Sequence, residues 1–217
     1  MKKTLLPLLA LALAVLLPPV AVMAPVAASA APIRILALGD SLTAGYGLGP
    51  EDGFTTQLER ALKAKGLDVT VINAGVSGDT AEGGLARLDW ALGGGADAAI
   101  VELGANDMLR GMDPAGTRKA LDAILAKLSE KKIPTLLAGM LAAPNLGSDY
   151  GARFDAIYPE LATQYGAILY PFFLDGAAAQ STLLQADGLH PNAKGVALIV
   201  ERMLPSVERL VGETKPR

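Results

Sequence analysis

The chain has 217 residues, no cysteine, a single histidine and a formal net charge of −3. Without cysteine there are no disulfides, no thiol nucleophile and no thiolate metal site, and the mildly acidic balance offers nothing to draw nucleic acid or anionic lipid. A 51% hydrophobic composition fits a well-packed globule, and the length allows one substantial core.

At the N-terminus, Lys2 and Lys3 precede an apolar run from Leu5 to Leu17, and the segment closes on Ala28-Ser29-Ala30. A basic start, an apolar core and a small-x-small end are the parts of a secretory signal, with cleavage expected after Ala30. Pro18 and Pro19 interrupt the run before it reaches the ~20 apolar residues that span a bilayer. A retained anchor is therefore disfavoured, and no cysteine is present to carry a lipid. Residues 1–30 are read as the signal and residues 31–217 as a single domain, periplasmic or secreted, with no membrane span once cut. A monomer is expected.

Five apolar runs follow: Ile33 to Leu38, Val69 to Ile72, Ala98 to Leu103, Thr135 to Leu137 and Ala167 to Tyr170. Their near-continuous apolar character predicts strands covered on both faces. Helical patterns alternate with them. Phe54, Leu58, Ala61 and Leu62 share one face, as do Leu121, Ile124, Leu125 and Leu128 within Thr117 to Lys131. Phe154, Ile157 and Leu161 mark one further helix, and Gly195 to Leu210 the last, entered through Pro191. Gly93-Gly94-Gly95 reads as a helix-to-strand turn and Val211 to Arg217 as a loose tail. Strand then helix, repeated, requires a mostly parallel sheet with helices on both faces.

The informative polar residues stand at strand ends, where an open parallel sheet forms its binding crevice. Ser41 follows the first strand, Asn73 to Thr80 the second, and Gly104-Ala105-Asn106-Asp107 the third, while His190 precedes the final helix. A serine hydroxyl needs a neighbouring base to become a nucleophile, and His190 is the only imidazole available. Asp187, in Asp187-Gly188-Leu189-His190, can hold the other ring nitrogen. Charge developing on an attacked carbonyl needs two or three donors, and the Ser41 N–H, the Gly75 N–H and the Asn106 amide are candidates. Taken singly, each has a structural reading: a capping serine, a solvated loop carboxylate, a turn glycine. Asp40 is read as support for the Ser41 turn and Asp107 as a brace for the Asn106 loop.

Together, Gly39-Asp40-Ser41-Leu42, Asn73-Ala74-Gly75-Val76-Ser77-Gly78-Asp79-Thr80, Gly104-Ala105-Asn106-Asp107 and Asp187-Gly188-Leu189-His190-Pro191 resemble the four blocks of the SGNH hydrolases, also called the GDSL lipase/esterase family. The stretch Gly78 to Leu92 with Leu109-Arg110-Gly111 is similar to the exported bacterial arylesterase, acyl-CoA thioesterase I and lysophospholipase L1 group. The resemblance implies Ser41 as nucleophile, Asp187 and His190 as its catalytic partners, and an oxyanion hole of Ser41, Gly75 and Asn106. It also implies a flavodoxin-like, three-layer α/β/α sandwich with five parallel strands in the order 2-1-3-4-5, and hydrolysis without metal or organic cofactor.

Other classes fit less well. Gly-x-Ser-x-Gly is absent, so the elbow of the α/β-hydrolase fold is not indicated. Gly45-Tyr46-Gly47-Leu48-Gly49 misses the dinucleotide spacing, and one histidine among scattered carboxylates makes no convincing metal site. The resemblance implies a small-molecule or lipid-like carboxylic ester as substrate, an aryl ester or a medium or long acyl ester or thioester, with Met108, Leu109, Met112, Pro144, Leu146 and Tyr150 as candidate groove residues. A carbohydrate O-deacetylase and a non-enzymatic binding module are the alternatives.

Overall fold

The computed structural model describes residues 31–214. The expected signal, residues 1–30, and residues 215–217 lie outside the described residues. Five strands form one parallel sheet: β1 (Ile33–Gly39), β2 (Val69–Gly75), β3 (Ala98–Glu102), β4 (Thr135–Ala138) and β5 (Ile168–Tyr170). Their order is β2-β1-β3-β4-β5, the order implied by the resemblance. β3 and β4 are buried at every position, as expected of strands covered on both faces.

Helices α2 (Phe54–Ala64) and α8 (Ala193–Glu213) pack together over one side of the sheet. Helices α3 (Ala81–Leu92), α5 (Pro114–Glu130) and α7 (Ile157–Tyr165) form the other layer. Phe54 of α2 meets Phe173 edge-on at 5.0 Å, and Tyr158 of α7 is fully buried with its hydroxyl donating to the Leu103 carbonyl. These contacts seal the two faces beneath the carboxyl ends of the strands.

Most boundaries shift by a few residues, and three of the differences have a physical reason or a consequence for the site. The single helix expected around Phe154 to Leu161 is two, α6 (Ser148–Asp155) and α7. Pro159 has no N–H and its ring would strike the Asp155 carbonyl four residues back, so the chain restarts at Ala156. The tail expected from Val211 is helical to Glu213, because Val207, Leu210 and Val211 continue one buried stripe. Most consequential, β2 does not end at Ile72 but runs to Gly75, which pairs with Gly39 of β1.

Candidate active site

Strand β1 ends in a single tight turn of helix, α1 (Ser41–Ala44), which places Ser41 at the crevice. Asp40 caps this turn, its Oδ1 accepting from the Leu42 N–H at 3.0 Å. Gly45, at φ +81, ends it. Arg87 from α3 holds the strand ends below: its guanidinium donates to the Gly39 and Ala74 carbonyls at 2.8 and 2.7 Å and to Asp79 at 2.5 Å.

The histidine loop returns to the same edge just before α8. Asn192 caps α8 through the Lys194 and Gly195 N–H groups, and Gln185 donates its N–H to the His190 carbonyl at 2.7 Å. Within the loop, Asp187 Oδ1 accepts from the Leu189 and His190 N–H groups at 2.9 and 3.0 Å. Its Oδ2 lies 2.6 Å from His190 Nδ1, and His190 Nε2 lies 2.9 Å from Ser41 Oγ. The His190 backbone N–H, then the Leu189 N–H, then the imidazole hold the Asp187 carboxyl down at about 2. An ionised acceptor at Nδ1 keeps the proton there and leaves Nε2 free to take the serine proton.

Helix α4 (Ala105–Leu109) carries Asn106 to the opposite rim. Its Nδ2 donates to Asp40 Oδ2 at 2.9 Å, which fixes the amide with its nitrogen at the site. Asp107 braces this helix as expected, accepting from the Ala81 N–H and the Thr117 hydroxyl at 2.9 and 3.0 Å.

Gly75 is a correction. Inside β2, its N–H donates to Asn73 Oδ1 at 2.9 Å, and a Cβ there would stand 2.3 Å from the Ala44 backbone nitrogen. It is a packing glycine that lets α1 lie on the sheet. Gly78, three residues on at φ +86, instead faces the crevice beside Ser77. Its carbonyl is held by Arg110 at 2.8 Å, while its N–H donates to no group among the described residues.

A groove of about 290 Å³ opens beside Ser41, Asn106 and His190. Of the groove residues expected from sequence, Met108 and Leu109 line it, while Met112, Pro144, Leu146 and Tyr150 do not. Pro144 and Leu146 belong to a 3-10 turn with Leu146 packed on the core, and Tyr150 stacks on Phe154. Met140, Tyr46, Leu174 and Leu189 complete the apolar wall. Tyr46 and Leu189 are sequence neighbours of the Ser41 turn and of His190, a signal that was available. Leu174 carries no local signal.

Two carboxyl groups lie beneath the serine turn. Glu102, at the end of β3, is fully buried, its Oε2 accepting from the Thr43 hydroxyl at 2.7 Å and the Asp40 N–H at 3.3 Å. Its Oε1 has no partner among the described residues. Burial, then the Asp40 charge, pushes Glu102 well above the usual range. Burial also raises Asp40, to about 6, against the opposing pull of the Leu42 N–H and the Asn106 amide. Of the two, Glu102 is wholly buried and its Oε1 receives no donor among the described residues, so it holds its proton more strongly and Asp40 ionises first.

Raised by burial above its unfolded value, Asp40 couples stability to pH. The folded protein keeps a proton that the unfolded chain has released, so stability falls as pH rises from about 4 to about 6 and stays reduced above. Asp40→Asn should remove that part of the slope while still capping α1. Its new NH₂ would face the Asn106 NH₂, turning Asn106 so that its oxygen looks into the crevice. We expect kcat to fall about 10²-fold, the scale of a lost oxyanion donor, with thermal stability at pH 8 equal to or above the parent. Retained kcat in this variant would dissociate Asp40 from the orientation of Asn106.

Comparison with known proteins gives a consistent result. The model of the GDSL-like lipase/acylhydrolase family matches residues 37–198. Esterase TesA of Pseudomonas aeruginosa is 38% identical over 183 residues, which cover 84% of this chain and 91% of TesA. The arylesterase of Vibrio mimicus is 39% identical over 176 residues, covering 81% and 88%. Among solved structures, AlinE4, an SGNH-hydrolase family esterase, aligns with a TM-score of 0.71 at 48% identity, covering 82% of this chain and 96% of its own.

Proposed function

The chain belongs to the GDSL-like lipase/acylhydrolase family and is an esterase, and from that premise we propose the residues and the substrate. Ser41 attacks the ester carbonyl as His190 Nε2 takes its proton, and Asp187 holds and stabilises the imidazolium. His190 then gives that proton to the leaving oxygen, and the acyl-serine is hydrolysed by a water that His190 activates. The observation that carries this reading is the continuous chain Asp187 Oδ2 to His190 Nδ1 at 2.6 Å and His190 Nε2 to Ser41 Oγ at 2.9 Å.

The oxyanion is received by the Ser41 N–H, the Asn106 amide and the Gly78 N–H, the last in place of Gly75. Asn106 is already oriented by Asp40 and Gly78 is fixed through Arg110. Donors set in place before reaction stabilise the charge without reorganising during it. One chain supplies every group, so a single copy suffices.

The wall of Met108, Leu109, Met140 and Leu174 favours a medium or long acyl chain, or an aryl ester, over the acetyl groups of a polysaccharide. Trp90, the only tryptophan, lies in a different groove with Ile72 and Gly94, so it offers no platform for sugar beside Ser41. Thioesters present the same carbonyl geometry and fall within the same range.

Residues 1–30 direct export in this reading. Among the described residues, no helix is long and apolar enough to cross a membrane. The test is a chain-length panel of aryl esters, with an acyl thioester and a lysophospholipid, run on exported protein whose intact mass begins at Ala31. Turnover should rise from acetyl to medium-chain esters. Preference for acetyl would favour the deacetylase, and a retained Met1 would remove the export signal.

A further inference from the structure

We infer that Tyr46, flanked by Leu189, forms the leaving-group side of the site and receives an aromatic alcohol. The inference rests on the roles proposed above for Ser41 and His190. When the tetrahedral intermediate collapses, His190 Nε2 hands its proton to the leaving oxygen, so that oxygen lies within hydrogen-bond reach of the imidazole. Whatever is bonded to it must therefore rest beside the imidazole. The carbonyl oxygen faces the other way, towards Asn106, and Met108 and Leu109 follow Asn106 on the same short helix.

Tyr46 occupies the imidazole side. Its ring centroid lies 4.7 Å from that of His190, with the planes tilted by 40°. Both Tyr46 and Leu189 line the groove, yet they are 53% and 52% exposed. An apolar surface left open at that position is available to a ligand, and two aromatic rings meet favourably with centroids about 4.5–7 Å apart.

The backbone under Tyr46 is firmly held, although its ring stands outside the core. Gly45 turns the chain back so that the Tyr46 N–H donates to the Ser41 carbonyl at 3.1 Å. Gln185 Nε2 donates to the Tyr46 carbonyl at 2.8 Å and to the Pro191 carbonyl at 3.0 Å. The same glutamine's N–H holds the His190 carbonyl. A Cβ on Gly47 would stand 2.2 Å from Gln185 Oε1, so that glycine permits the clasp. One residue thereby ties the tyrosine segment to the histidine loop, and the ring keeps its place over the imidazole without core packing.

A purely supporting ring would steady His190 and affect every substrate equally. The two readings separate with an aryl and an alkyl ester that share one acyl group and have leaving alcohols of similar acidity. Tyr46→Ala should lower kcat/KM for the aryl ester about 3–10-fold, the range of one aromatic pair, and leave the alkyl ester within about twofold. Tyr46→Phe should restore the aryl value. The steady rate after the acylation burst should match between the two esters, since both form the same acyl-serine. Equal losses on both esters would overturn the leaving-group subsite alone. A parent enzyme inactive on both would overturn the esterase reading and the subsite with it.

Discussion

Ser41→Ala should lower ester turnover by about 10⁴–10⁶-fold, the scale set by nucleophile removal in a well-studied serine protease. The protein should nevertheless fold and melt like the parent. Among the described residues the Ser41 hydroxyl hydrogen-bonds only His190 Nε2, whereas the turn that carries it is held by Asp40, Thr43 and Glu102. Removing the oxygen therefore deletes the bond-forming atom without releasing the turn. Some rate above water should survive, because the donors proposed at Asn106 and Gly78 would still receive the carbonyl oxygen. An organophosphonate that transfers one phosphonyl group to the parent, with loss of its leaving group, should leave the alanine variant unlabelled. Labelling of the variant, or turnover within tenfold of the parent, would place the nucleophile elsewhere.

How far the site could be read from the sequence depended on which residues had a unique role to fill. His190 is the only imidazole, so it had no competitor, and its aspartate stands three residues before it. The meeting of Ser41, Asn106 and His190 at one edge followed from strand ends, whereas the sheet order came from the family resemblance alone. Gly75 and Gly78, by contrast, stand three residues apart in Asn73 to Thr80, and each can bring an N–H close to a ligand. The choice between them turns on where β2 stops, and pairing of Gly75 with Gly39 depends on register with a distant strand. The groove residues failed for a related reason. Tyr150 and Leu146 are apolar and near in sequence to β4, but the break at Ala156 sets α6 apart from α7. Residues that close the groove come from three separate loops, and apolar character alone does not say which way a loop folds.

Asp187→Asn should be more damaging than Asp187→Ala, although asparagine is the closer match in shape. Asp187 Oδ1 is fixed by two backbone N–H groups, of Leu189 and His190. An asparagine retaining those two bonds must put its oxygen there and its NH₂ at the position of Oδ2, against His190 Nδ1. That NH₂ is a donor, so it selects the tautomer with Nδ1 bare and the proton on Nε2. The protonated Nε2 then faces Ser41 Oγ and cannot accept from it. Turnover should fall on the order of 10⁴-fold, as for the equivalent change in a serine protease. Alanine imposes no tautomer: Asp187 is more than a third exposed, so water can serve Nδ1 and the two N–H groups. The loss should then be smaller than for asparagine, within the roughly 10²–10⁴-fold that general acid–base catalysis contributes. Because Asp187 in the parent is held down at about 2, it stays ionised throughout the working pH range, and its protonation does not shape the acid limb of the parent profile. Kinetics of both variants on one aryl ester, with ¹⁵N spectra of the imidazole to read the tautomer, decide the matter. An asparagine variant as active as the alanine variant, or one whose proton remains on Nδ1, would show that Asp187 acts through its charge and not by choosing the tautomer.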